Sequence, residues 1–101
     1  MTIGDLQNVT LLAVARLDDA AVSKRIRDEL EAVAGRSVSV STVFVTLTRL
    51  EDQGLLASEK GPAPARGGRR MRIFSLTESG WEAIREARAQ SDRLWDGLKT
   101  P

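Results

Sequence analysis

Four arginines, Arg66, Arg69, Arg70 and Arg72, fall within seven residues that contain no acid, and Gly67-Gly68 separates the first two. Guanidinium groups are planar, permanently charged forks that match phosphate oxygens, and glycine lets a backbone approach such a surface closely. With Lys60 they give residues 59–76 five cations against Glu59, a local +4, so the remainder of this +1 chain carries −3. A merely solubilising loop needs no such one-sided clustering. A loop that grips a phosphate backbone, or puts arginine into a narrow minor groove, does.

A second constellation lies upstream in Ser39, Ser41, Thr42, Val45, Thr46 and Arg49. Read as a helix at about 100° per residue, Thr42, Val45 and Arg49 fall within roughly 60° of one another, with Ser41 and Thr46 flanking them. Hydroxyls at a helix start can donate to phosphate or to a base edge, beside amides that already attract phosphate. Val45 suits a thymine methyl and Arg49 a guanine edge or a phosphate. On the opposite side Val40, Val43, Phe44, Leu47 and Leu50 are predicted to face the core.

The absences narrow the chemistry further. The 101 residues include no Cys, no His and no Tyr. That removes disulfides, thiolate nucleophiles, Cys/His zinc sites and histidine acid–base catalysis together. Carboxylates and hydroxyls need a buried pocket to tune them, and a chain this short buries only about 60–70% of its unfolded surface. No enzyme, no cofactor and no metal site are expected. The longest apolar run, Leu11–Ala15, cannot span a bilayer, and Met-Thr-Ile-Gly-Asp opens no secretory signal, so no membrane and a cytoplasmic location are expected.

The elements that must position these residues follow from periodicity. A first helix is predicted over Leu6–Leu17, with Asp5 as N-cap and Leu6, Val9, Leu12, Ala13 and Leu17 inward. A second spans Ala20–Ala34, with Val22, Ile26, Leu30 and Val33 inward and Gly35 ending it. Ser39 caps a third, which reaches Gln53 before Gly54. The period then changes, and Leu55–Lys60 and Arg70–Leu76 read as two strands around a tip rich in Pro and Gly. Thr77 caps a last helix that runs to about Leu98, with Gly80 weakening its first turn.

Helix, helix, helix, hairpin, helix is the order of a winged helix-turn-helix: mainly α with a small β-hairpin. Residues 1–76 are assigned to the DNA-binding domain and 77–101 to a C-terminal dimerisation helix, as one compact unit. In that helix Ile84, Ala87, Ser91, Leu94 and Leu98 repeat at three and four residues, a heptad-like seam with Trp95 beside it. Trp81 is expected to pack on its own domain.

Three stretches in this order and spacing carry a resemblance to the PadR family of bacterial transcriptional regulators. They are Ile26–Glu31 followed by Gly35–Ser39, then Thr42–Phe44 through Leu47–Leu55, and finally Gly67–Arg70 with Arg72–Gly80. The chain departs from the family pattern at Phe44, where Tyr is usual, and at Ser41, where Gly is common. Around Val22-Ser23 the usual Tyr-Gly pair is replaced, and the connection is one residue longer. The resemblance implies a dimeric repressor whose third helix reads the major groove, whose wing grips the backbone and whose last helix joins two subunits. It also implies that Trp95 either fills the dimer interface or stacks on a small aromatic effector.

The expected function is therefore a homodimeric, sequence-specific repressor of a double-stranded DNA operator. Lys60, Arg66, Arg69, Arg70 and Arg72 form its wing contacts, and Ile84, Ala87, Ser91, Leu94, Trp95 and Leu98 its dimer interface. The alternative is a winged-helix adaptor that docks proteins instead of DNA, against which the basic wing argues.

Overall fold

The first helix begins one residue earlier than its spacing suggests. In the computed structural model, which describes residues 3–62, 67–68 and 71–99, α1 spans Asp5–Leu17, with Gly4 at the N-cap position. Asp5 is thus the first helical residue and not the cap. Gln7 Oε1 accepts from the Gly4 amide at 3.2 Å, and the Asp5 carboxylate pairs with Arg36 in the connection beyond the next helix.

The buried face of α1 is rotated from the predicted one. Thr10, Leu11, Ala13 and Val14 are buried, whereas Leu12 is exposed and Leu6, Val9 and Leu17 only partly covered. Periodicity misplaced this face because Thr10 is polar in type. Its hydroxyl donates to the Leu6 carbonyl at 2.6 Å, so burial leaves no donor unpaired.

A 3-10 turn over Asp18–Ala20 delays the second helix, so α2 covers Ser23–Ala34 and not Ala20–Ala34. The turn lets buried Ala21 offer its carbonyl to the Phe74 amide at 2.9 Å, a backbone bond a helix starting at Ala20 would forbid. Ile26 and Leu30 enter the core as predicted, but Val33 is exposed in the last turn. Gly35 adopts φ +65 and ψ 21, the left-handed conformation that ends helices, and its N–H bonds the Leu30 carbonyl.

The third helix, α3, spans Val40–Asp52, and the strands β1 (Leu56–Lys60) and β2 (Arg72–Leu76) follow. The strands pair antiparallel from Leu56 opposite Leu76 to Lys60 opposite Arg72. Phe74 and Leu56 turn inward onto Leu11, Leu30, Leu47 and Leu50, which makes one core beneath the hairpin. The fold is that of a winged helix: three helices, a two-stranded wing and a closing helix.

That closing helix, α4, spans Glu78–Trp95 and stops three residues short of the predicted end. Its start is fastened to the end of α3. Thr77 Oγ1 donates to the Gly54 carbonyl at 2.6 Å and accepts from the Gly80 amide at 3.1 Å, while the Thr77 amide bonds the Leu55 carbonyl. Gly80 is buried against this junction, and any Cβ there would collide with the Leu55 carbonyl oxygen. The glycine therefore serves close approach of helix to backbone, which outweighs its weak helix propensity.

Candidate nucleic-acid interface

Helix α3 starts on a side-chain cap. Ser39 Oγ accepts from the Thr42 amide at 3.1 Å and donates to Thr42 Oγ1 at 2.9 Å. Capping of this kind satisfies one of the otherwise unpaired amides of the first turn and holds Ser39, Ser41 and Thr42 together at the exposed N-terminal end.

The helix is rotated relative to its predicted phase. Val43, Thr46, Leu47 and Leu50 form the buried face. Thr46, expected on the outer face, is only 8% exposed, and its hydroxyl donates to the Thr42 carbonyl at 2.8 Å. Phe44, expected in the core, is 52% exposed, and Val40 also emerges. Both corrections have one cause. A threonine that bonds its own helix backbone can occupy the core, and the helix then turns Val43, Thr46, Leu47 and Leu50 inward and Val40 and Phe44 outward. The outer face thus consists of Ser41, Thr42, Phe44, Val45, Thr48 and Arg49.

Val40 and Phe44 border a surface recess of about 350 Å³ shared with Val22, Ser23, Lys24, Met71 and Arg72. This recess joins three elements: the start of α2, the first half of α3 and the root of the wing. Lys24, Phe44 and Met71 are its unforeseen members. Phe44 read as core, and Lys24 belongs to neither constellation of the sequence, so only the three-dimensional phase brings them together.

The root of the wing is tied to α3 by a short relay. Arg72 donates to Ser58 Oγ at 2.9 Å, and Ser58 donates to Glu51 Oε2 at 2.6 Å. Arg72 is thereby linked through β1 to α3. Lys60 is exposed on β1, and Arg49 on α3. Among the described residues, Lys24, Arg49 and Lys60 have no ion-pair partner, so their charge faces solvent. Arg66, Arg69 and Arg70 lie outside the described residues.

On α4 the predicted seam divides. Ile84 is buried in the chain's own core, and Leu98 lies beyond the end of the helix, in a turn whose Leu98 amide bonds the Trp95 carbonyl. Ala87 is partly covered and Ser91 exposed. Leu94 and Trp95 are 75% and 63% exposed, with no packing on their own domain to account for them. Trp81, expected to pack on its own domain, is instead 42% exposed. It borders an open groove of about 600 Å³ with Leu12, Ala87 and Ser91; partly covered Asn8 also lines it, and its Oδ1 atom is buried with no hydrogen-bond partner among the described residues.

Among the described residues no cluster of acids could hold a metal ion, and no helix is long and apolar enough to cross a membrane. The architecture is shared with solved winged-helix proteins. A PadR-like transcription factor from Bacteroides fragilis is 25% identical, with a TM-score of 0.75 over 90% of this chain and 84% of that one. A PadR-family transcriptional regulator from Eggerthella lenta is 28% identical, with a TM-score of 0.71 over 92% and 81% of the two chains. The Bacillus subtilis PadR, solved in complex with operator DNA, shares the fold at 17% identity and a TM-score of 0.67, over 96% of this chain and 49% of that one. No curated protein matches the sequence. The model of the transcriptional regulator PadR-like family matches residues 11–86, from the buried face of α1 through the core-facing turn of α4. With the outer face of α3 beside a basic wing root, this match makes the chain a member of the PadR-like family of transcriptional regulators, not an enzyme.

Proposed function

We propose that the chain is a homodimeric, cytoplasmic repressor that inserts α3 into the major groove of its operator and rests the wing on the flanking backbone. The observation that carries this reading is the phase of α3. It leaves Ser41, Thr42, Val45 and Arg49 outward together, next to a wing whose residues 59–76 concentrate the positive charge of a nearly neutral chain. Ser39 contributes by shaping the first turn, and Thr46 by packing beneath it. Lys60, Arg66, Arg69, Arg70 and Arg72 neutralise phosphates.

Residues 1–76 form the reading unit and 77–101 the joining unit. The exposed Leu94 and Trp95 join the two subunits, with Ala87 and Ser91 beside them and Leu98 beyond the helix end. A two-fold dimer then presents two α3 helices to half-sites about 10 bp, or a multiple of that, apart. Trp95 is also accessible to a small aromatic effector that relieves repression by stacking on its indole.

The test is fluorescence anisotropy of a labelled duplex from immediately upstream of the gene, at two salt concentrations and against excess random duplex. Competitor-resistant binding that weakens steeply with salt is expected. If neither this duplex nor selection from a random pool yields a preferred sequence, the repressor reading fails and an adaptor docking proteins through the same faces takes its place. Trp95 quenching by flat aromatic compounds, lost in Trp95→Phe through loss of the probe but retained as a change in operator affinity, tests the effector.

A further inference from the structure

The outer face of α3 is poorer in free hydrogen-bonding groups than its composition implies. Thr48 donates its hydroxyl to the Phe44 carbonyl at 2.9 Å, Thr46 is buried, and Ser39 Oγ is engaged by Thr42. What the middle of the helix presents outward is carbon: the half-exposed phenyl of Phe44 and the exposed side chain of Val45, with Val40 one turn earlier. Such a strip on a small chain calls for an occupant.

The surroundings identify it. Lys24 and Arg72 border the same recess as Val40 and Phe44, and Arg49 follows one turn after Val45. An apolar strip framed by cations matches a duplex better than a protein groove, because phosphates lie on either side of the base edges. Of the groups that base pairs display in the major groove, the C5-methyl of thymine is the one that projects an apolar surface, cytosine offering only its flat C5–H edge. We propose that Phe44 and Val45 are specificity-determining residues that recognise thymine methyl groups in the operator. This inference rests on the DNA-binding reading above. Adjacent residues on a helix diverge by about 100°, so the two side chains meet methyls on different base pairs.

The experiment begins with selection of a preferred site by the full chain from a random duplex pool. Each thymine of that site is then replaced in turn by deoxyuridine, which deletes the methyl and nothing else. Burial of one methyl group corresponds to roughly a fourfold change in affinity, so losses of about that size are expected at two or more positions. At one of them the uracil penalty disappears in Phe44→Ala, and at another in Val45→Ala, while Phe44→Leu retains it. Both side chains are half-exposed, so thermal unfolding of the variants should match the parent and separate recognition from folding.

Uracil substitutions that leave affinity unchanged at every position overturn the proposal while leaving DNA binding intact. So do Phe44→Ala and Val45→Ala variants that weaken thymine and uracil duplexes by the same factor. An affinity gain with 5-methylcytosine, and no loss with uracil, reassigns the strip to methylated cytosine and overturns the thymine assignment. A pool that enriches no sequence removes the DNA-binding reading and this inference with it.

Discussion

Thr46 and Phe44 show how a single hydroxyl can set the face of a helix. A pattern of apolar residue types assigns Phe44 to the core and Thr46 to the surface, and the structure exchanges them. The type pattern does not record that Thr46 bonds the Thr42 carbonyl, which lets it share the interior with Val43, Leu47 and Leu50. Ser39 was legible for the opposite reason, since an N-cap is a local feature that needs no partner from another element. Replacing Thr46 by valine keeps its shape and removes its hydroxyl. Thr46→Val is therefore expected to leave operator affinity within about twofold of the parent, whereas Thr42→Ala or Arg49→Ala should relax base preference at a cost of about 1–3 kcal/mol. Anisotropy titrations against the selected duplex and its single-base variants distinguish the two results. Gly80 supplies a second test at this scale. On an open helix surface, Gly→Ala raises stability by up to about 1 kcal/mol. At Gly80 the sign reverses, because the added methyl meets the Leu55 carbonyl, and a loss of about 1–3 kcal/mol is expected in thermal or denaturant unfolding.

At the scale of elements, the order and type of the four α-helices and two strands were readable, as were the ends marked by Gly35, Ser39 and Thr77; the 3-10 turn, the starts of α1 and α2 and the end of α4 were not. The 3-10 turn at Asp18–Ala20 shortened α2, because the Phe74 amide required the Ala21 carbonyl, a contact between residues far apart in sequence. The C-terminal limit of α4 shows the same thing: its apolar spacing continues past Trp95, but the helix does not. The wing was legible as a hairpin and as a cluster of charge. Its attachment was not, since the relay from Arg72 through Ser58 to Glu51 joins three elements whose residues look unremarkable one at a time. If the wing supplies phosphate contacts, Arg69→Ala with Arg70→Ala should weaken binding to every duplex alike. It should also lower the slope of log affinity against log salt by about two. Retention of the parent's slope would sink the wing assignment.

For the whole molecule, the question is what covers the exposed end of α4. Leu94 and Trp95 project from a chain whose longest dimension is 57 Å, against 27 and 20 Å for the others, and the 18-residue α4 accounts for about 27 Å of length. Leu94→Ala with Trp95→Ala is expected to shift the chain from dimer to monomer in sedimentation, with the helical signal of the folded domain preserved. A variant that remains dimeric would place the subunit contact elsewhere, for example along the groove beside Trp81. The latch at Thr77 gives the proposed dimer a further property. One hydroxyl grips both the Gly54 carbonyl, just past α3, and the Gly80 amide in the first turn of α4, so the two helices are latched to each other at an elbow. If two copies pair through α4 as proposed, two such elbows back to back make a caliper with a set opening. Operators with one base pair inserted between the half-sites, which moves and twists one jaw against the other, should then lose most of their affinity, and Thr77→Ala, by loosening the elbow, should narrow that penalty.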